Sequence, residues 1–68
     1  MIEVDARGLS CPEPVIQTRR ALEGAPKELT VIVDNNVAKE NVKKALEAGG
    51  YAVSIKEDAE DIFLNGKK

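Results

Sequence analysis

The sequence has no histidine, no tryptophan and a single cysteine, Cys11. Each absence removes a class of chemistry. Without histidine there is no imidazole to activate the thiol for hydrolytic catalysis. Without a second cysteine there is neither an internal disulfide nor a resolving thiol for a dithiol redox cycle. One cysteine and no histidine also fall short of a typical zinc-ligand set, so no metal and no cofactor are expected. Aromatic residues are limited to Tyr51 and Phe63, and ten basic against twelve acidic residues leave a net charge of −2. With so little to stack on bases and no concentrated basic tract, direct nucleic-acid binding is not expected. No apolar run approaches the roughly 20 residues of a membrane span, so no membrane is expected as a partner. No basic and apolar leader precedes Ile2, which together with the lone thiol favours the reducing cytoplasm.

What is present reads as one small α/β domain over residues 1–68, a length that supports only a modest core. Ile2-Glu3-Val4-Asp5 alternates apolar and polar residues, the period of a half-buried strand, and residues 6–10, with Gly8 among them, form the loop that ends it. From Pro14 the period becomes helical: Val15, Thr18, Ala21 and Leu22 share one side, and Gly24 with Pro26 closes the helix. Ile16 falls off that stripe, on the flank of Pro12. Leu29-Thr30-Val31-Ile32-Val33 is β-branched and bounded by polar residues, so it is the more buried second strand. Asn35 or Asn36 then caps a second helix that buries Ala38, Val42, Ala45 and Leu46, and Gly49-Gly50 stops it. Tyr51, Val53 and Ile55 alternate with polar or small residues, a turn over residues 57–60 follows, and Ile62-Phe63-Leu64 returns as a hairpin partner.

The order βαβαββ predicts a two-layer α/β sandwich: a mixed four-stranded sheet with two helices on one face. Ile2, Val4, Val31, Val33, Val53 and Ile55 are expected beneath the helices. Ile32 and Phe63 fall on the opposite, partly exposed face.

The residues with chemical content are Cys11-Pro12-Glu13-Pro14. Proline fixes φ near the helical value and lacks the N–H that a first-turn residue leaves unpaired, so the pair marks a helix start at Pro12 or at Pro14. A residue before proline is pushed out of the α region, which makes Cys11 extended and disfavours helical geometry at Glu13. Cys11 is then the N-cap or lies two residues before it. In either case the sulfur is near the positive end of a helix, an interaction worth about 1 kcal/mol that favours thiolate over thiol. The same field stabilises an anion attached to the sulfur. Cysteines that only fill space lie inside apolar periodic runs, whereas Cys11 sits at a loop-to-helix junction, so it reads as reactive. Glu13 is either an acid/base for the thiol or a first-turn acid complementing the helix dipole, the second being the simpler role. Arg7 and Arg19 would add positive charge if they face the loop.

Residues 5–14, Asp-Ala-Arg-Gly-Leu-Ser-Cys-Pro-Glu-Pro, resemble the signature of the TusA/SirA/YedF family of small sulfur-carrier proteins. Val33-Asp34-Asn35-Asn36 followed by Ala38-Lys39-Glu40-Asn41-Val42 resembles the YedF branch. The resemblance spans nearly the whole chain and implies the same two-layer sandwich. It also implies that Cys11 accepts sulfane sulfur as a persulfide, with Gly8, Pro12 and Pro14 supporting the site. The donor would be a protein such as a cysteine desulfurase or a rhodanese, and the acceptor another sulfur-relay protein. YedF-like members are associated with selenium metabolism and usually carry a DsrE-like domain after this one. Ser10 stands where some TusA-type carriers have a basic residue. The competing reading of the residues is a regulatory or protein-interaction module that docks through its sheet or its Pro12–Ile16 flank, with the thiol incidental.

Overall fold

The computed structural model describes residues 2–8 and 13–68, Ile2 by its backbone alone. The elements run β1 (Ile2–Asp5), α1 (Glu13–Leu22), β2 (Glu28–Val33), α2 (Asn36–Ala48), β3 (Ala52–Asp58) and β4 (Asp61–Lys67). The sheet order is β1-β2-β4-β3, with β1 and β2 parallel and the other pairs antiparallel. A parallel neighbour cannot be reached by a tight turn, and α1 supplies the crossover. The two helices pack against each other while α1 touches β1 and α2 touches β2, β3 and β4. Both therefore cover the same face, as the sequence pattern predicts.

Burial follows the two periodicities. Leu29, Val31 and Val33 of β2 and Ile62 and Leu64 of β4 are buried against Ala38, Val42 and Leu46 of α2. Gly66 completes the β4 stripe: a β-carbon there would sit 3.3 Å from both Leu29 Cδ2 and Leu46 Cδ2, so the missing side chain is what lets α2 approach. In α1 the buried residues are Pro14 and Thr18. The Thr18 hydroxyl donates to the Pro14 carbonyl at 2.8 Å, which satisfies the core's one buried polar side chain among the described residues and braces the first turn.

The helix ends carry recognisable chemistry. Asn35, extended at φ −153°, caps α2 by accepting the Ala38 N–H at 2.8 Å. At the other end Gly50, at φ 88°, takes the left-handed position, and the amides of Gly50 and Tyr51 return to the carbonyls of Glu47 and Leu46. This is a Schellman ending, and Leu46 and Tyr51, the residues it joins, both belong to the core.

Three expectations change. Ile55 pairs with Leu64 on the helix side yet is 39% exposed. β3 is an edge strand whose start lies beneath the end of α2, and burial falls from Tyr51, just before it, through Val53 to Ile55 as the strand leaves that cover. Ile32, on the face without helices, is buried, because Asp5 and Phe63 flank it in the register. The β3–β4 turn is tighter than the polar stretch suggests: only Ala59 and Glu60 lie between the strands, with Ala59 at φ 57°. Among the described residues no helix is long and apolar enough to cross a membrane.

Candidate functional site

Because β1 and β2 are parallel and each is followed by a helix, the carboxyl ends of both strands and the amino ends of both helices gather at one end of the sheet. Open α/β sheets place their chemistry at the carboxyl ends of strands, and Ala6, Arg7 and Gly8, which follow β1, lie in that position. Cys11 and Pro12 lie outside the described residues, so Gly8 and Glu13 are the residues that bracket them.

On the β1 side, the Ala6 amide donates to the Ile32 carbonyl at 2.8 Å, continuing the parallel ladder one residue beyond the strand. Arg7 folds back on Asp5: its backbone N–H and its Nε both reach Asp5 Oδ1, and Nη2 reaches Oδ2 at 2.9 Å. Its other terminal nitrogen bonds Asp61 at the start of β4, 3.0 Å away. Since β2 lies between β1 and β4, the guanidinium spans the carboxyl end of β2. Side-chain hydrogen bonding from Arg7 holds the Asp5 carboxyl down at about 2, and the same bond raises Arg7 further above its already high value. Gly8 then turns the chain at φ 76°, and its amide donates to Asp34 Oδ2 at 2.8 Å.

On the α1 side, Glu13 is the first described helical residue and is exposed, while Pro14 behind it is buried. Glu13 is helical despite preceding a proline. That steric preference is modest at the open end of a helix, and burial of Pro14 against the core outweighs it. As the first-turn acid, Glu13 faces the positive end of the α1 dipole.

The structure thus brings Gly8, Glu13 and Pro14 to one end of the fold. Arg7 is committed to two carboxylates, and Arg19 lines a groove between α1 and α2 with Asn41 and Lys44. A second shallow groove of about 330 Å³ opens on the helix-free face beside Phe63, Lys56 and Asn65, and none of Gly8, Glu13 or Pro14 lines it. Ile16 is 37% exposed on the α1 surface. Neither Asp34 nor Asp61 carries a local signal for this role. Their involvement follows from register: pairing Asp5 with Ile32 carries Gly8 to the level of Asp34 and Asn35, and pairing Val33 with Ile62 brings Asp61 to the carboxyl end of β2. Among the described residues no group of three or more acidic or thiol side chains is placed to hold a metal ion.

This two-layer α/β sandwich is shared with a solved SirA-like protein. The crystal structure of a SirA-like protein from Desulfitobacterium hafniense superposes with a TM-score of 0.86 at 34% identity, covering 97% of this chain and 95% of that one. Residues 2–64 match the family described as Sulfurtransferase TusA. A protein of Methanocaldococcus jannaschii named "Putative sulfur carrier protein" is 40% identical over 65 residues, 93% of this chain and 87% of its own length. The chain belongs to the TusA sulfurtransferase family.

Proposed function

We propose that this protein is a sulfur carrier in which Cys11 receives sulfane sulfur as a persulfide and passes it to an acceptor protein. The observation that carries the proposal is the family match over residues 2–64, which includes the only cysteine of the chain. In the loading step the Cys11 thiolate attacks the terminal sulfur of a donor persulfide. The new S–S bond forms at Cys11 as the donor's S–S bond breaks, and the donor cysteine leaves as a thiolate. Unloading is the same exchange with the acceptor's thiolate attacking the terminal sulfur. Electrons balance in each step, so no external oxidant or reductant is needed.

The chain's other residues serve this exchange by placement. Pro12 and Pro14 set the start of α1, whose dipole favours an anionic sulfur two residues before Glu13. Glu13 complements that dipole from the first turn. Gly8 supplies the left-handed turn out of β1. A protein with no histidine has little means to complete a hydrolysis at the thiol, and transfer from one thiolate to the next demands none. A cysteine desulfurase or a rhodanese fits the donor role, because both present sulfur as a cysteine persulfide. Selenium would travel by the same exchange.

Incubation with a cysteine desulfurase and cysteine should add the mass of one sulfur atom to the folded chain, removable by a thiol reductant and absent in Cys11→Ser. A folded chain that stays unmodified with both a desulfurase and a rhodanese persulfide contradicts the proposal.

A further inference from the structure

We infer that Asp34 is a positioning residue for the sulfur-carrying segment, holding the Gly8 amide three residues before Cys11; this rests on the sulfur-carrier reading above. Four residues, 9–12, separate Gly8 from Glu13, so how that short segment is presented depends on how firmly its two ends are held. The α1 end is held by burial of Pro14 and by the Thr18 hydroxyl on the Pro14 carbonyl. At the β1 end, the ladder stops with the Ala6 amide on the Ile32 carbonyl. Beyond it, the Arg7 amide bonds the neighbouring Asp5, and the Arg7 side chain reaches Asp61 at the start of β4. The Arg7 amide bond shapes the turn, and the tie to β4 runs through a long, exposed side chain rather than through the backbone that leads on to Cys11. The Gly8 amide is the last described contact before Cys11, and its partner is 26 residues away.

Asp34 is well placed to be that anchor. It follows fully buried Val33 at the end of β2, an inner strand paired on both sides. Its second carboxylate oxygen accepts from the Asn35 side chain at 3.2 Å, and Asn35 is itself fixed as the cap of α2. One carboxylate therefore joins the end of β2, the start of α2 and the segment leading to Cys11. A bond to a charged acceptor is stronger than a neutral one, and at Gly8 it also fixes the direction in which the chain leaves β1. Asp34 acts here through the Gly8 amide. Its effect falls on encounter with a bulky protein donor, which must meet the thiol in one orientation, and little on reaction with a small reagent.

The test compares Asp34→Ala and Asp34→Asn, the second keeping a side-chain oxygen acceptor. Loading of Cys11 from a cysteine desulfurase with cysteine should be roughly tenfold slower in Asp34→Ala, the ratio expected for one charge-assisted hydrogen bond. Alkylation of Cys11 by iodoacetamide should stay within about twofold of wild type, and Asp34→Asn should recover most of the loading rate. Equal loading by wild type and Asp34→Ala, or Asp34→Asn as slow as Asp34→Ala, overturns the inference. If wild type itself accepts no sulfur, the sulfur-carrier reading fails and the anchor is judged by amide hydrogen exchange. There the Gly8 amide should be protected in wild type and Asp34→Asn and about tenfold less so in Asp34→Ala. An unprotected Gly8 amide in wild type overturns the inference whatever Cys11 does.

Discussion

Tyr51→Phe is the most informative single change to the scaffold, because it removes one atom at a joint where three parts of the chain meet. The Tyr51 amide ends α2 on the Leu46 carbonyl, its ring is 5% exposed in the core, and its hydroxyl donates to the Pro26 carbonyl in the α1–β2 connection. Phenylalanine keeps the ring, so apolar burial is nearly unchanged, and the Lys68 ammonium 5.2 Å from the ring centroid still meets an aromatic face. What is lost is one neutral, part-buried hydrogen bond, and the Pro26 carbonyl must find water. That costs about 1 kcal/mol, equivalent to a fall in Tm of roughly 4–8 °C for a domain of this size. Urea unfolding followed by circular dichroism should show a lower midpoint with an unchanged slope. A midpoint equal to wild type would refute the assignment of this bond as a tie between the α2–β3 junction and the α1–β2 connection.

Other substitutions probe separate features. Arg7→Met should return the Asp5 titration, read by carboxyl carbon NMR, from about 2 toward its ordinary 3.8. Because the folded-state value is the lower one, the unfolded chain takes up the proton first as pH falls. The stabilising contribution of the pair is therefore complete above about pH 3.8 and is lost as pH falls through about 2. A wild-type Asp5 that titrates at 3.8 contradicts the Arg7 bridge. Asn35→Ala removes the acceptor for the Ala38 amide and should cost about 1 kcal/mol in the same urea assay. Ala59→Gly should raise stability by about 0.5–1 kcal/mol, since a left-handed alanine opens the β3–β4 turn and relief of its strain exceeds the entropy that glycine adds to the unfolded chain. A loss of stability there would mean that the turn does not hold that conformation.

Much of the fold is legible because its periods are clean. The β-branched run 29–33, the helical stripe of Ala38, Val42 and Leu46, and the Asn and Gly–Gly signals around α2 specify their elements by local physics alone. Ile55 shows where such reading stops: alternation assigns it to the correct face, but the reach of α2 over an edge strand is a tertiary property. Ile32 is the converse case, apolar on the open face and buried through its strand neighbours. At the candidate site the Cys-Pro-Glu-Pro string marks the helix start without help from structure. The anchoring of the preceding residues was not legible there, because the bond from Gly8 to Asp34 exists only once β1 and β2 are in register. The direction of Arg7 is likewise not encoded locally, since its two carboxylate partners are 2 and 54 residues away.

What Cys11 carries can be read by mass spectrometry of the chain purified without reductant. Trypsin cleaving after Arg7 and Arg19 yields the peptide of residues 8–19, which contains the only cysteine. A sulfur carrier predicts that a fraction of this peptide is heavier by one sulfur atom, that reductant removes the added mass, and that incubation with a cysteine desulfurase and cysteine raises the fraction. A peptide found only as the free thiol, both as purified and after that incubation, contradicts the account.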